Sequence, residues 1–377
     1  MSAGRIVVCG AVAQKPGQPG HTWQFLQYLL GFGRLGYEVL LVDRLAAPEP
    51  TLVERLRSTL GRFGLPWTIS HDGGRHSGLS RRETLRWIRS ADLLLNVMGF
   101  CTDDELLAAA RRRVFLDTDP GFGQMWCDLG LADVFAGHDS HVTIGERIGE
   151  PECNIPTCGL HWETTRQPVV LDEWPVEPPP CEPFAFGSIA TWRGAYAPIQ
   201  YEGRRYGLRA HEFRRFAELP RLSGRRFELA LDIDPADHAD RGLLEEGGFD
   251  LADPSVVTPT LDGYRDYIRG SWAELMVAKE MYVATHSGWF SERSACYLAS
   301  GRPVLAQDTG LDGLLPTGDG LVTFADLDAA VAGVESIAGD WHRHARAARD
   351  LAEEYFDSDL VLGRLLDVVG AAGPVAA

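Results

Sequence analysis

Short apolar runs, many of them β-branched, alternate along the chain with segments of helical periodicity. The first run, Arg5–Cys9, ends at Gly10, and a helix is predicted from His21 to about Gly36 after a loop rich in glycine and proline. Apolar runs of this kind are typical of strands buried on both faces of a parallel sheet. Their alternation with helices predicts a doubly wound α/β sheet. In this half we predict further strands at 37–42, 67–70, 92–97, 114–117 and 142–144, and further helices at 52–63, 81–90 and 103–112.

A second alternating set begins at Phe184, after an acidic and proline-rich stretch, Asp172–Pro180, with the composition of a stiff linker. We predict strands at 184–189, 226–232, 274–277, 282–285, 304–306 and 320–324, and helices at 210–219, 239–246, 263–269, 327–338, 341–355 and 359–369. The pattern therefore predicts an N-terminal Rossmann-like domain over 1–165, a linker over 166–183, a C-terminal domain over 184–358, and a final helix and tail over 359–377.

Composition narrows the class of protein. A chain of 377 residues is long for one core, which agrees with two domains. It has no apolar run of about 18 residues, so we expect no membrane span. The seven scattered cysteines and the absence of a signal-peptide plan at the amino terminus favour reduced thiols in the cytoplasm. A formal charge of −17 disfavours nucleic acid or an anionic membrane as partner, but allows an anionic small ligand where cations gather locally.

The first strand–loop–helix–strand segment, with Asp43 at its end, is similar to a dinucleotide-binding unit. Its glycine spacing fits neither Gly-x-Gly-x-x-Gly nor a phosphate-binding P-loop, so we expect no nicotinamide cofactor. Two Asp-x-Asp triplets, 117–119 and 232–234, and the pair His138 and His141 are the metal-like patterns. Such triplets are frequent in an acidic chain and the histidines have no evident third ligand, so we expect no metal.

The stretch 285–310 carries the clearest signal of function. It predicts a polar turn, a short helix capped by Ser291, a buried strand from Val304, and a second polar turn at 307–310. In open α/β sheets ligands bind at the carboxyl ends of strands. A helix N-terminus flanked by His286, Ser291, Arg293 and Ser294 is suited to a phosphate. We interpret the stretch as a nucleotide-sugar site.

The same stretch resembles known glycosyltransferases. Thr285-His-Ser-Gly-Trp-Phe-Ser291 is similar to the Thr-His-Cys-Gly-Trp-Asn-Ser opening of the donor signature in family 1 nucleotide-diphosphate-sugar enzymes, and Gly301–Val304 and Gln307-Asp308 resemble its later elements. Gly288–Ser294, Tyr297–Val304 and Gln307–Gly310 look more closely like spore-maturation-type glycosyltransferases of bacteria. The resemblance implies the GT-B fold, with two facing Rossmann-like domains of parallel sheets.

Two features depart from the resembling families. The glutamate that family 1 enzymes place on the ribose falls at Cys296. The Glu-x7-Glu pair of family 4 retaining enzymes falls at Gly288 and Cys296, so both carboxylates are missing. The nearby Glu292 is a candidate substitute.

The resemblance implies that His286 and Ser291 meet the donor diphosphate, with Arg293 and Ser294 alongside and Asp308, Thr309 and Gly310 in the following loop. The remaining donor candidates each have a structural alternative. Lys279, after a predicted strand, is either a second cation for the diphosphate or a surface lysine. Trp192 and Arg193 either contact the phosphate or base, or are a core-edge tryptophan and a solvated arginine.

Two residues of the first half are candidates for the catalytic base. His21 opens the first helix, and its position resembles that of the family 1 general base; an imidazole suits that task, although a helix N-terminus lowers its pKa. The alternative is a helix-capping histidine. Asp119, after a predicted strand, is a candidate acceptor-binding carboxylate or base.

The sequence thus predicts a soluble, cytoplasmic bacterial glycosyltransferase that moves a sugar from a nucleotide-diphosphate sugar to a hydroxyl or amine of a small-molecule or glycan acceptor. The donor is a substrate, and no cofactor is expected. Two alternatives remain: a GT-B sugar-nucleotide epimerase, and a glycan-binding or spore-surface protein without catalysis. The sugar, the base, the acceptor, the stereochemical outcome and the oligomeric state are not specified by the pattern.

Overall fold

A computed structural model describes residues 4–194 and 196–371. Within these limits the chain divides into two compact units. The first contains Met1–Gly145, Pro156–Val170 and Asp357–Ala377, and the second contains Glu146–Ile155 and Leu171–Phe356. The last residues of the predicted tail, 372–377, lie outside the described residues.

An eight-stranded sheet forms the centre of the first unit. Its strands are β1 (Gly4–Cys9), β2 (Tyr37–Leu45), β3 (Trp67–His71), β4 (His76–Gly78), β5 (Leu93–Val97), β6 (Arg113–Asp117), β7 (Ser140–Thr143) and β8 (Trp162–Thr164). They lie in the order β4-β3-β2-β1-β5-β6-β7-β8. The antiparallel pair β3–β4 lies at one edge, and the other pairs are parallel. The central strands follow the dinucleotide-binding order, which reverses between β1 and β5.

Five helices connect these strands: α1 (Pro19–Arg34), α2 (Pro50–Gly61), α3 (Arg81–Ser90), α4 (Asp104–Ala109) and α5 (Phe122–Asp128). Local signals explain their bounds. Pro19 and Pro50 start α1 and α2, where a missing N–H costs no helical hydrogen bond. Ser80 and Glu83 form a reciprocal capping box at the start of α3.

The second unit is built on a six-stranded parallel sheet with a separate hairpin. Its strands are β9 (Ala185–Thr191), β10 (Ile199–Tyr201), β11 (Arg204–Tyr206), β12 (Arg226–Asp232), β13 (Phe249–Ala252), β14 (Ala273–Met276), β15 (Val304–Gln307) and β16 (Leu321–Phe324). The sheet order is β13-β12-β9-β14-β15-β16, and β10 pairs with β11. In chain order this is 3-2-1-4-5-6, with the reversal between β9 and β14.

Nine helices belong to the second unit within the described residues: α6 (Arg209–Phe213), α7 (Leu219–Ser223), α8 (His238–Gly247), α9 (Pro254–Val257), α10 (Leu261–Gly270), α11 (Glu280–Thr285), α12 (Glu292–Ala299), α13 (Leu327–Gly339) and α14 (Trp341–Tyr355). The final helix, α15 (Ser358–Val368), belongs to the first unit. It packs against α1 so closely that a Cβ on Gly31 would lie 2.5 Å from a methyl of Leu362.

The structure confirms the α/β pattern and most predicted elements, with three kinds of exception. The strand predicted at 282–285 is wrong, because this segment is helix α11. Its apolar run is too short for periodicity to separate strand from helix, and the Thr285 hydroxyl donates to the Met281 carbonyl one turn earlier (2.7 Å). The helix predicted at 210–219 is divided into α6, a 3₁₀ turn and α7.

The third exception is a set of short elements that the sequence pattern missed: β4, β8, β10, β11, β13, α5 and α9. No helix of the described residues is long and apolar enough to cross a membrane.

Candidate functional site

In the second unit, the sheet order reverses between β9 and β14, which is where ligands bind in open α/β sheets. Arg209, the first residue of α6, reaches the ends of both strands. Its Nε donates to the carbonyl of Val277 (3.1 Å), after β14, and its Nη1 donates to the carbonyl of Thr191 (3.4 Å), the last residue of β9. Sequence reasoning missed Arg209, because no motif marks an arginine that opens a short helix. The structure places a cation at the switch point.

Two loops beside this point are hydrogen-bonded to each other. The Gly288 N–H donates to the carbonyl of Thr309 (2.8 Å), and the Thr309 hydroxyl donates to the carbonyl of Trp289 (2.6 Å). The Asp308 carboxylate accepts from the backbone N–H groups of Gly310 (2.9 Å) and Leu311 (3.0 Å). The loop after α11 and the loop after β15 therefore form one rigid unit, which we name the paired loops (286–291 and 308–312).

Glycine is required at two positions of the paired loops. Gly288 and Gly310 have φ of 70° and 92°. A Cβ on Gly288 would lie 2.8 Å from a Leu314 methyl, and one on Gly310 would lie 3.2 Å from the His286 carbonyl oxygen. His286 itself has a left-handed backbone (φ 50°) at the end of α11 and is exposed. The structure thus brings the predicted donor residues His286, Asp308, Thr309 and Gly310 together.

Arg147, from the segment 146–155, holds the paired loops. Its Nε donates to the Gly310 carbonyl (2.5 Å), its Nη2 donates to the Asp312 carbonyl, and its backbone N–H donates to the Ser287 carbonyl (3.2 Å). A Cβ on Gly288 would also meet the Arg147 backbone nitrogen at 3.1 Å. Sequence reasoning missed this residue, since it lies more than 130 positions from the loops it contacts.

Helix α12 starts at the paired loops and carries two hydroxyls in its first turn. Ser291 occupies the N-cap position with an extended backbone (φ −76°, ψ 138°), but its side chain makes no capping hydrogen bond. The prediction that the Ser291 side chain caps the helix is therefore wrong, although Ser291 does occupy the N-cap position. The Ser294 hydroxyl is fully buried and has no hydrogen-bond partner among the described residues. Because the first N–H groups of a helix have no intrahelical partner, this terminus retains donors for an anion.

Arg293 is held by the protein itself. Its Nε donates to the Glu274 carboxylate on β14 (2.5 Å), and its Nη1 donates to the Ile189 carbonyl on β9 (2.6 Å). The residue is 8% exposed and Glu274 is fully buried. Burial lowers the pKa of Arg293, but the Glu274 carboxylate more than offsets this and keeps the pKa above its ordinary value. The ion pair fixes the start of α12 over the switch point.

Glu292, the candidate replacement for the missing carboxylates, is also nearly buried. One of its carboxylate oxygens accepts from the Cys296 thiol one turn further along α12 (3.1 Å). Its carboxylate therefore lies beside the residue that occupies the expected glutamate position.

The other donor candidates have protein partners. Trp192 is buried in the core, and its indole N–H donates to Asp240 (2.8 Å). This agrees with the alternative interpretation of Trp192 as a core-edge tryptophan. Arg193 is exposed and forms an ion pair with Asp237, with one nitrogen–oxygen distance of 2.8 Å. Lys279, directly before α11, lies over the rings of Tyr196 (5.7 Å) and Tyr282 (5.2 Å).

In the first unit, His21 lies in the first turns of α1. Its Nε2 is 3.3 Å from the carbonyl oxygen of Ala11. A carbonyl only accepts, so the hydrogen is on Nε2 and the neutral ring keeps a lone pair on Nδ1. Burial, and then the charge of Lys15, lower the pKa of His21 to about 4. The imidazole is therefore neutral at pH 7, and it does not cap the helix, whose N-cap residue is Gln18.

Asp119 follows β6, at the same edge of the sheet as the end of β1, with β5 between them. Its backbone N–H donates to Asp117 (3.0 Å). Asp117 is buried and also accepts from Gln124 (2.7 Å) and from the Thr143 hydroxyl (2.9 Å). Burial raises the pKa of Asp117 to about 6. Asp117 thus shapes the loop that carries Asp119.

Asp43 has a similar structural task. Its carboxylate accepts from the Ala13 N–H (2.6 Å) and from the Gln14 side chain (3.2 Å). It therefore organises the loop after β1, where a dinucleotide-binding unit would use the acid on a ribose.

The described residues contain no cluster of three or more His, Cys, Asp or Glu that is suited to a metal ion. His138 and His141 both lie beside the Phe135 carbonyl, with Nδ1 of His138 at 2.9 Å and Nε2 of His141 at 3.3 Å.

Comparison with solved structures identifies the architecture. The Anabaena protein HepE, solved with UDP and glucose, matches with a TM-score of 0.58 at 11% identity, over 98% of this chain and 100% of that one. The fold is GT-B. A sucrose-phosphate synthase from Thermosynechococcus elongatus matches with a TM-score of 0.56 at 11% identity, over 98% and 100% of the two chains. An alpha-glucosyltransferase, solved with UDP-glucose and DNA containing an abasic site, has a TM-score of 0.58 at 11% identity, over the same shares.

No protein-family model and no curated protein matches the sequence. The GT-B fold predicted from the 285–310 stretch is confirmed by the structural comparison. The closer resemblance to spore-maturation-type proteins stays a prediction.

Proposed function

We propose that the protein is a nucleotide-sugar-dependent glycosyltransferase that transfers a sugar to a hydroxyl or amine of a small-molecule or glycan acceptor. The observation that carries the proposal is the start of α12, where the helix N-terminus and two serine hydroxyls lie beside the paired loops at the sheet's carboxyl edge. The GT-B fold shared with HepE and the alpha-glucosyltransferase, both solved with UDP or UDP-glucose, supports it.

The second unit would bind the donor. In the transfer, the bond between the sugar and the diphosphate breaks, and negative charge develops on the leaving nucleotide. Helix N–H groups, hydroxyls and a cation aimed at that charge stabilise it without reorganisation. Ser291 and His286 would contact the diphosphate, with the buried Ser294 hydroxyl in the same helical turn, and Arg293 would act on it through the placement of α12.

The first unit would bind the acceptor. His21 would accept the proton of the acceptor hydroxyl on Nδ1, since Nε2 carries the hydrogen bonded to Ala11. Asp119 is the second candidate, on the loop that Asp117 holds. No resident cofactor is required for this chemistry.

Calorimetric titration with UDP, GDP, ADP and dTDP tests the donor site. Loss of one hydroxyl that bonds a charged phosphate costs about 1.5–3 kcal/mol, so we expect Ser291→Ala to weaken binding at least about tenfold. Ser300→Ala is the matched control, because Ser300 is a buried serine at the other end of the same helix. Equal affinity of wild type and Ser291→Ala for every nucleotide bound would exclude the site.

Product analysis separates the proposal from its alternatives. A transferase releases the nucleotide when an acceptor is present, whereas an epimerase converts the nucleotide sugar alone. A binding protein without catalysis would retain sugar affinity and bind no nucleotide. The GT-B neighbours with UDP ligands favour the transferase.

We further propose a bacterial, cytoplasmic enzyme that does not act on nucleic acid. All seven cysteines are free thiols, which supports a reducing compartment. The charge of −17 opposes binding to a phosphate backbone. Because the alpha-glucosyltransferase was solved with DNA, a gel-shift assay with duplex DNA is the direct test, and we expect no retardation.

A further inference from the structure

The first unit contains a small pocket, open to solvent, between the loop after β1, the start of α1 and helix α2. Its polar lining consists of Lys15, Thr22, Arg55 and Thr59, and the rest of the lining is apolar or glycine. No aspartate or glutamate lines it. In a chain with 53 acidic residues against 36 basic ones, this local excess of positive charge is notable.

The two cations of the pocket have no carboxylate partner within the part of the chain that the structure describes. Lys15 and Arg55 form no ion pair there, whereas Arg57, on the same helix as Arg55, pairs with Glu54 at 2.6 Å. Two like charges that line one pocket repel each other and attract a counter-ion. An anion bound between them would remove that repulsion, with the Thr59 hydroxyl as a further donor, since the Thr22 hydroxyl donates to the Gln18 carbonyl (3.4 Å).

The pocket is preformed by buried interactions. The Asp43 carboxylate binds the Ala13 N–H and the Gln14 side chain, and the Lys15 N–H donates to the Val12 carbonyl (3.3 Å). These hydrogen bonds hold the first part of the loop in place, which reduces the ordering that a ligand would require.

The pocket also adjoins the candidate base. His21 Nε2 lies 3.3 Å from the Ala11 carbonyl, and Ala11 directly precedes Val12 and Ala13 in the pocket lining. The imidazole therefore contacts the same loop that forms one wall of the pocket.

We propose that this pocket binds a terminal anionic group, a phosphate or a carboxylate, of the sugar acceptor, and so selects acidic acceptors. The proposal rests on the proposed transferase function for the identity of the ligand as acceptor. Lys15 and Arg55 would determine this specificity.

A first experiment uses inorganic phosphate and needs no turnover. Phosphate is titrated calorimetrically into wild type, Lys15→Gln, Arg55→Gln and the double variant, with Arg57→Gln as the control on α2. We expect each single variant to raise Kd about tenfold or more, and the control to match wild type. Phosphate that does not bind, or that binds the double variant as well as wild type, overturns the proposal. Neither substitution removes a hydrogen bond between described residues, and matching melting temperatures verify folding.

A second experiment compares a neutral monosaccharide, its 6-phosphate and its uronic acid as acceptors with each active nucleotide sugar. We expect the charged acceptors to give at least tenfold higher kcat/KM, and Lys15→Gln and Arg55→Gln to abolish the preference. The better of the two charged acceptors identifies the anionic group. Equal use of all three acceptors overturns the inference.

The two experiments distinguish failure of the pocket proposal from failure of the proposed function. Absence of nucleotide binding and of all turnover contradicts the proposed function, while the phosphate titration still decides whether the pocket binds anions.

Discussion

The buried ion pair between Arg293 and Glu274 gives the sharpest test of how the donor helix is held. Four proteins are compared in a double-mutant cycle: wild type, Glu274→Met, Arg293→Met and the double variant. In Glu274→Met the Arg293 guanidinium, 8% exposed, loses its only carboxylate partner in the described structure. Removing one partner of a buried pair costs about 3–5 kcal/mol, because the other charge stays buried and uncompensated.

The double variant is expected to be much more stable than the sum of its parts. Two methionines of similar volume remove both charges together, and such replacements are often neutral. They also remove the hydrogen bond from Arg293 to the Ile189 carbonyl, which is worth about 1–2 kcal/mol. We therefore expect each single variant to lose about 3–5 kcal/mol and the double variant about 1–2 kcal/mol.

Urea unfolding followed by tryptophan fluorescence measures these values, and the coupling energy follows from the four chains. A double variant destabilised by the sum of the two single losses would refute the reasoning. In that case the pair would not be a coupled unit, and Arg293 would be held by the Ile189 carbonyl alone.

Three further predictions concern buried charges and the paired loops. For Asp117, the folded-state pKa of about 6 exceeds the ordinary value of 3.8, so the folded state binds more protons. Wild-type stability therefore falls by about 2 kcal/mol relative to Asp117→Asn as pH rises from 4 to 7. For His21, the folded-state pKa of about 4 lies below 6.5, so wild type instead loses about 3 kcal/mol relative to His21→Gln as pH falls from 7 to 4. Urea titrations at several pH values measure both, and parallel curves for variant and wild type would contradict either pKa. Arg147→Met should lower the free energy of unfolding by about 2 kcal/mol and nucleotide affinity about tenfold, because the carbonyls of Gly310 and Asp312 lose their charged donor. Calorimetry measures the affinity, with Arg346→Met, at an exposed position, as the control. Unchanged affinity would mean that the paired loops keep their structure without Arg147.

Much of the fold followed from local patterns. Buried strands such as β5 and β15 are mainly apolar runs, and helices such as α3 carry their own capping residues. Elements of three to five residues, such as β8 and β10, carry too little pattern to be found. The segment 282–285 contains strand-forming residues, yet it is the last part of helix α11, and an apolar run this short does not separate strand from helix.

The sequence pattern likewise predicted one part of the candidate site and missed another. The sequence located the start of α12, because glycine, serine and proline positions mark the turns around it. It did not show what Arg293 binds, since Glu274 is an acidic residue inside an apolar strand 19 positions earlier. It also read Ser291 as a helix cap, although its hydroxyl makes no such bond. Pairings over long sequence distances depend on the sheet order, which no local pattern contains.

Arg147 has a consequence for how the protein is made. The segment 146–155 leaves the ribosome long before Gly310 and Asp312, the carbonyls that it finally binds. At about 5–20 residues per second, the interval is on the order of ten seconds. Arg147 therefore lies outside the ribosome without these two carbonyl partners until the second unit has emerged, and a fragment that begins at Leu171 would lack the arginine that binds the paired loops. Folding of this half depends on a piece of chain synthesised with the other.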